Sequence, residues 1–297
     1  MYGHGFNVLK YLKLLRVHHW VKNSFIFIAP FFGGVLFDPV LLLRLFAGVI
    51  AFGLAASAVY VFNDLQDLAE DRLHPVKKNR PIASGAVPPG HAVVLMIAVL
   101  VAGCLLALWV DHKLIMIVIA YVLLNAAYSL GLKRISILDI FIVSSGFIFR
   151  TVAGGMLSEI MLSHWLMIMI LLLALFLAIA KRRDDLIIAR ESGKVLRKAS
   201  AQYSLEFVNT ILAMFAAVII VSYIMYTISP EVTSRLSSEY LYLTVIFVIM
   251  GLMRYLQLCL VQNASGSPVK ILLNDRFIQF TILGWIGLFL IIIYYHP

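Results

Sequence analysis

"LLRLFAGVIAFGLAASAVYVFNDLQDLAED" fills residues 42–71. As far as Phe62 it is an almost unbroken apolar run, and a bilayer core takes about 20 such residues to cross. Asn63, Asp64, Asp67, Glu70 and Asp71 then follow at once. A membrane span that hands over directly to acids sets the first expectation. The chain is built from helices that cross a lipid bilayer, and its chemistry sits at their ends.

The composition extends this to the whole chain. Of 297 residues, 62% are hydrophobic and only 13% are charged, and the mean hydropathy is +0.98. Nine apolar segments read as spans: 22–37, 42–62, 91–110, 114–130, 137–157, 162–180, 207–229, 239–261 and 277–295. Pro30, Gly33 and Gly34 interrupt the first. Nine such helices fill most of the chain, which predicts an all-α integral membrane protein of one domain, 1–297. No small-residue cleavage site follows the first apolar run, so a cleaved leader is not expected. Cys104 and Cys259 fall inside apolar spans and read as small buried hydrophobes.

The net charge of +9 raises the question of nucleic acid, and its distribution answers it. Of the 24 Lys and Arg, 19 lie in the N-terminal segment and the loops after the second, fourth, sixth and eighth spans. The opposite loops hold Arg44, Lys113 and Arg235, while Arg150 and Arg254 fall within spans. This is the positive-inside pattern of a multi-pass protein, with the N-terminus and basic loops cytoplasmic. The charge reports topology and attraction to anionic headgroups or an anionic substrate, with no nucleic acid among the partners. Asp64, Asp67, Glu70, Asp71, Asp184, Asp185, Glu191 and Asp275 gather on the same side. The positive-inside rule does not place acids.

The first acidic cluster reads Asn63-Asp64-x-x-Asp67-x-x-x-Asp71. If the helix runs on, Asp64, Asp67 and Asp71 fall within about 60° of one face, at roughly 100° per residue. Three carboxylates on one stripe repel one another and call for a cation between them. With the amide oxygen of Asn63 they form a hard-oxygen set suited to Mg²⁺. His74, Lys77, Lys78 and Arg80 follow, in a loop shaped by Pro75, Pro81, Pro88 and Pro89. Acids for a metal followed by bases for the same ligand's oxygens suit a diphosphate.

A second charged stretch, "KRRDDL", leaves the sixth span with Lys181, Arg182, Arg183, Asp184 and Asp185. It lies four spans after the first and hints at two related halves. Arg150, inside the fifth span, costs about 2.5–3.5 kcal/mol at mid-bilayer on insertion scales, so it should face protein or water. Lys22 and Asn23 stand at the mouth of the first span; Tyr128, Lys133 and Arg134 lie between the fourth and fifth; "NDR" (274–276) precedes the last. Alone, each reads as an interfacial anchor.

Taken in order, "LRVHHWVKNSFIFIAPFF", "NDLQDLAEDRLHPVKKNRPIASG", "LKRISILDIFIVSSGFIFRTVAGG", "KRRDDL" and "NDRFIQ" span residues 15–280. They resemble the UbiA-type intramembrane prenyltransferase superfamily and, within it, the decaprenyl-phosphate phosphoribosyltransferases. The resemblance implies a UbiA-type bundle with a cytoplasmic-side active site in the bacterial inner membrane. It implies phosphoribosyl diphosphate and a polyprenyl phosphate as substrates, with Mg²⁺. Asp64, Asp67 and Asp71, with Asn63, would hold the metal. Lys77, Arg80, Lys181 and Arg182 would neutralise remaining charge. Lys22, Lys133 and Arg276 are candidates for the lipid phosphate, and Tyr128, Arg150 and Asp185 join the substrate-binding set. Asp185 stands where that group usually carries glutamate. Superfamily enzymes that prenylate aromatic rings usually carry a D-x-x-x-D second motif. Here Asp184 and Asp185 are followed four residues on by Ile188 and Ala189. An aromatic-ring prenyltransferase is therefore the second reading. A cation transporter would place acids within its spans, whereas these sit at span ends beside bases. No motif sets an oligomeric state or the isoprenoid length.

Overall fold

The computed structural model describes residues 8–74, 76–192, 202–262, 271 and 273–295. Its helices are α1 (Val8–Leu15), α2 (Ile28–Phe32), α3 (Pro39–Gln66), α4 (Leu68–Leu73), α5 (Pro89–Val110), α6 (His112–Leu130), α7 (Leu138–Leu157), α8 (His164–Ser192), α9 (Leu205–Ile228), α10 (Pro230–Leu236), α11 (Val245–Leu260) and α12 (Arg276–Tyr294). A 3₁₀ run, Val17–Phe27, precedes α2, and another, Tyr240–Thr244, leads into α11.

The starts of these helices follow local chemistry. Asp38 caps α3 by accepting the Val40 and Leu41 amides, and Pro39 takes the first helical position, where a missing N–H costs nothing. Asp111, Ser204 and Asp275 cap α6, α9 and α12 in the same way. Pro89 opens α5.

Among the described residues, eight helical segments are long and apolar enough to cross a membrane: Pro39–Gln66, Pro89–Val110, His112–Leu130, Leu138–Leu157, His164–Arg190, Leu205–Ile228, Tyr240–Leu260 and Arg276–Ile293. They account for eight of the nine expected spans. The stretch expected as the first, 22–37, is instead the end of a 3₁₀ run and the five-residue α2. Pro30 withholds an amide there, and Gly33 and Gly34 stop the helix. Capping by Asp38 also carries α3 back past Leu42, so Arg44 lies on the helix rather than in a loop and meets Asp111 at 3.5 Å. Lys113 likewise belongs to the first turn of α6.

The chain divides into two compact units, Met1–Lys133 with Phe149–Met161, and Arg134–Ile148 with Leu162–Pro297. In the first, α3 is the central helix and packs against α1, the 3₁₀ run, α5 and α6. Its buried face is made of small residues, including Gly48, Ala51, Ala55, Ala56 and Ser57. In lipid, helix association depends on such close packing, because the solvent is as apolar as the side chains. A Cβ on Gly103 of α5 would lie 3.0 Å from the Ala51 carbonyl oxygen, so backbone meets backbone there. Gly154, near the end of α7, is tighter still, since a Cβ would fall 1.9 Å from the Ile26 carbonyl oxygen. Phe52, Leu114, Tyr121 and Leu157 fill the rest of this core. A smaller cluster, Leu14, Val61, Ile82, Val87 and Ala92, underlies the loop between α4 and α5.

In the second unit, α8 packs on α9, and α11 packs on both α9 and α12. The core there includes Phe176, Leu212, Ile219, Tyr255, Leu258 and Ile278. Cys104 is half-buried, Cys259 is buried, and both are free thiols.

Candidate functional site

The end of α3 does not run on as the sequence suggests. Asp67 leaves helical geometry with φ −89° and ψ 4°, and α4 begins one residue later. The break corrects the expectation of three acids on one stripe. Asp64 and Asp71 are turned inward and almost fully buried, while Asp67 is only half-buried. Its carboxylate accepts from Lys133 and from the Asn63 amide at 3.1 Å. Asn63 Oδ1 accepts from the Ser129 hydroxyl at 3.2 Å, and Tyr128 sits half-buried beside Ser129 on the last turn of α6.

Asp64 and Asp71 are joined by one guanidinium. Arg80 Nη1 donates to Asp64 Oδ1 at 3.0 Å and to Asp71 Oδ2 at 2.6 Å. The loop that delivers it is built locally. His74 Nδ1 accepts the Val76 and Lys77 amides, folding the chain so that Lys77 Nζ lies 3.6 Å from Asp71 Oδ1. The Val87 amide donates to the Pro81 carbonyl, and buried Ile82 and Val87 pin the loop to Val61 and Leu14.

A second arginine comes from the other side. Arg16 separates α1 from the 3₁₀ run in a left-handed conformation, φ 50° and ψ 44°. For a residue with a Cβ that costs about 1–3 kcal/mol. The turn aims the guanidinium at Asp64 Oδ1, 2.5 Å away, and over the Tyr60 ring at 5.0 Å. Lys13, Arg16, His18, His19, Asp64, Lys77, Asn79 and Arg80 line an open cavity of about 410 Å³. Four cationic side chains against one carboxylate give it a charge balance suited to a compact polyanion. Arg16 entered the sequence reading only as a topology charge; its place beside the histidines of "RVHHW" was the available signal.

Among the described residues, no group of three or more His, Cys, Asp or Glu side chains is arranged to hold a metal ion. The four-residue set of Asn63, Asp64, Asp67 and Asp71 is therefore not assembled as expected, because Asp67 and Asn63 face Lys133 and Ser129. Asp64 and Asp71 do converge, and among the described residues Asp71 Oδ1 is buried without a hydrogen-bond partner. One or two carboxylates, completed by waters and substrate phosphates, is the usual protein share of a Mg²⁺ site, so this pair fits.

Arg150 is buried on α7. Its Nε donates to Asn23 Oδ1 at 2.7 Å, and its guanidinium lies over the rings of Phe52 and Tyr121 at 5.2 and 5.0 Å. Lys22 is half-buried beside Asn23.

The second unit carries the other charged stretch. Arg182 is buried and donates to Asp139 Oδ2 at 2.8 Å and to Asp185 Oδ2 at 3.1 Å. Asp139 also takes the Tyr203 hydroxyl at 3.5 Å, and that hydroxyl accepts the Ile137 amide. Sequence reasoning missed Asp139, although its place in the first turn of a span, five residues after Arg134, marked it. Arg183 binds Asn209, and Lys181 is exposed. Arg254 is tied to Asp275, the α12 cap, at 2.7 Å. Hydrogen bonds from Arg254, and then from the Ile278 amide, hold the Asp275 carboxyl below the ordinary carboxylate range. Arg276 is exposed at the start of α12. Residues 193–201, which include the basic end of the stretch after α8, lie outside the described residues.

A model of the UbiA prenyltransferase family matches residues 24–280. A decaprenyl-phosphate phosphoribosyltransferase of Mycolicibacterium smegmatis is 32% identical, over 93% of this chain and 90% of that protein. One from Mycobacterium tuberculosis is 30% identical, over 93% of this chain and 91% of that protein. Among solved structures, a UbiA homolog from Archaeoglobus fulgidus bound to DMAPP and Mg²⁺ matches with a TM-score of 0.72. It is 18% identical over 96% of this chain and 99% of that one, a likeness of fold.

Proposed function

Because the chain belongs to the UbiA prenyltransferase family, we propose that it transfers the 5-phosphoribosyl group of phosphoribosyl diphosphate to a polyprenyl phosphate and releases diphosphate. Relatives of about 30% identity over nine-tenths of the chain support the substrate pair. The observation that carries the reading is the open cavity where Lys13, Arg16, Lys77 and Arg80 surround one carboxylate at the end of α3. That array is complementary to a diphosphate in charge.

Arg16, Lys77 and Arg80 bind and orient the diphosphate and stabilise the charge that grows on it as it leaves. Asp64 and Asp71 hold Mg²⁺, which when bound supplies Lewis-acid neutralisation of the leaving group. The C1–O bond to the diphosphate breaks with oxocarbenium character, and an oxygen of the lipid phosphate forms the new bond to C1. A phosphate monoester is largely ionised near pH 7, its second pKa being about 6, so the nucleophile needs no general base. Lys22 and Lys133 are the candidates to hold that phosphate. Asp67 and Asn63 orient Lys133. Tyr128 and Arg150 join the substrate-binding set, Arg150 by fixing Asn23 next to Lys22.

The apolar spans give the isoprenoid tail a lipid-like surface to lie against. We place the N-terminus and the cavity on the cytoplasmic side of a bacterial inner membrane, where phosphoribosyl diphosphate is available. The product serves as a lipid-linked pentose donor, of the arabinose type, for envelope glycans.

The test is transfer by the purified chain. Phosphoribosyl diphosphate labelled in the ribose, polyprenyl phosphate and Mg²⁺ should give label in the organic phase. Label that stays in water, while the same preparation prenylates an aromatic acid from an isoprenoid diphosphate, would replace this reading with the aromatic one.

A further inference from the structure

We propose that Arg80 is an exchangeable counter-ion that competes with the divalent cation for Asp64 and Asp71. The cation then binds well only together with the diphosphate, which takes Arg80 over. The inference rests on the function proposed above and concerns the order in which its site fills.

One nitrogen of Arg80 bridges both carboxylates, at 3.0 and 2.6 Å. A metal held by this pair would sit against the same two carboxylates, so its charge competes with that of Arg80 even where it takes their other oxygens. The two acid side chains are only 2% exposed, so a positive partner is needed at all times. Arg80 itself is 23% exposed and forms part of the cavity wall, so its guanidinium can turn toward a ligand there without crossing the protein core. A guanidinium pairs with phosphate oxygens as readily as with carboxylates. Among the described residues Asp71 Oδ1 accepts no hydrogen bond, and Lys77 Nζ lies 3.6 Å from it, which leaves it available to a cation.

Charge fixes the direction of the coupling. Asp64 and Asp71 are outweighed by Arg16, Lys77 and Arg80, a net of one positive charge. A bare divalent ion would raise that to three. A cation arriving with a diphosphate does not, because the diphosphate brings its own negative charge and a new partner for Arg80. Cation and diphosphate therefore help each other bind, with Arg80 as the part that changes hands.

The test measures Mn²⁺ retained by the full-length chain in detergent on ultrafiltration, with and without inorganic pyrophosphate. Arg80→Gln is compared with Arg72→Gln, which removes the same charge from an exposed side chain of α4 that touches neither carboxylate. For Mn²⁺ alone, Arg80→Gln should bind at least about tenfold more tightly than the parent chain. Arg72→Gln should bind like the parent. Pyrophosphate should tighten Mn²⁺ binding to the parent chain and lose most of that effect in Arg80→Gln. If Arg80→Gln does not fold, Arg80→Lys is read instead. Its single ammonium should still release Mn²⁺ binding relative to the parent. Equal shifts in the two glutamine variants, or a parent chain that binds Mn²⁺ alone as tightly as with pyrophosphate, would overturn the inference while leaving the metal site standing. Mn²⁺ binding that survives unchanged in Asp64→Asn, or is absent in every variant and condition, would remove the metal site and the inference with it.

Discussion

Replacing Asp139 by leucine probes a buried ion pair of the second unit. Asp139 Oδ2 and Arg182 Nη2 are 2.8 Å apart, with side chains 2% and 9% exposed. At an effective dielectric of about 20, Coulomb attraction at that distance is about 6 kcal/mol. Desolvating the two ions costs several kcal/mol each, so the pair as a whole contributes little net stability. Removing one member is different, because an arginine stays charged at any working pH. A stranded partner of this kind usually costs about 3–5 kcal/mol. Asp185, at 3.1 Å and 35% exposed, remains to Arg182 and trims the loss. Asp139→Leu should therefore cost about 2–3 kcal/mol, and Asp139→Leu with Arg182→Met should return to within about 1 kcal/mol of the parent. Unfolding of the purified chain by SDS titration in mixed micelles reads both values. A single variant that costs less than about 1 kcal/mol, or a double variant as unstable as the single, would refute the argument that Arg182 depends on Asp139.

Three further outcomes are expected. Asp64→Asn and Asp71→Asn should each lower kcat/KM by about 100- to 1,000-fold while the chain keeps its elution profile, because each removes a carboxylate that would hold the metal. EDTA should abolish transfer and Mg²⁺ restore it; activity that persists in chelator would remove the metal from the reaction. For Asp275, the folded carboxyl lies below its unfolded value of about 3.9. Its pairing with Arg254 therefore stabilises the fold above that pH, and the contribution is lost as pH falls through the lower, folded value. Melting curves of the parent and Asp275→Asn should converge as the pH is lowered below 4 or so, and a constant difference at every pH would contradict the assignment.

Hydropathy carried most of the architecture, because a span of about 20 apolar residues leaves few alternatives in a chain this apolar. Eight spans appear where they were expected. The segment at 22–37 departs because Pro30 and two glycines weigh against a helix more than its hydrophobicity weighs for one. The site was legible in kind but not in arrangement. Asp64, Asp71, Lys77 and Arg80 come together as the motif suggested. The helix break at Asp67 was not readable, since Asp67 is held by Lys133, which is 66 residues away in sequence. Periodicity describes a helix only as far as the helix continues. Arg16 and Asp139 escaped notice because each looks unremarkable in its own segment. Their roles come from Asp64 and Arg182, 48 and 43 residues distant.

An experimental map of the chain with phosphoribosyl diphosphate and Mg²⁺ would test the central claim most directly. Density for the diphosphate should lie in the cavity at the end of α3, within hydrogen-bond distance of Arg16, Lys77 and Arg80, with the ion on Asp64 and Asp71. Diphosphate density elsewhere on the molecule, with Arg80 still clamped between the two aspartates, would contradict it.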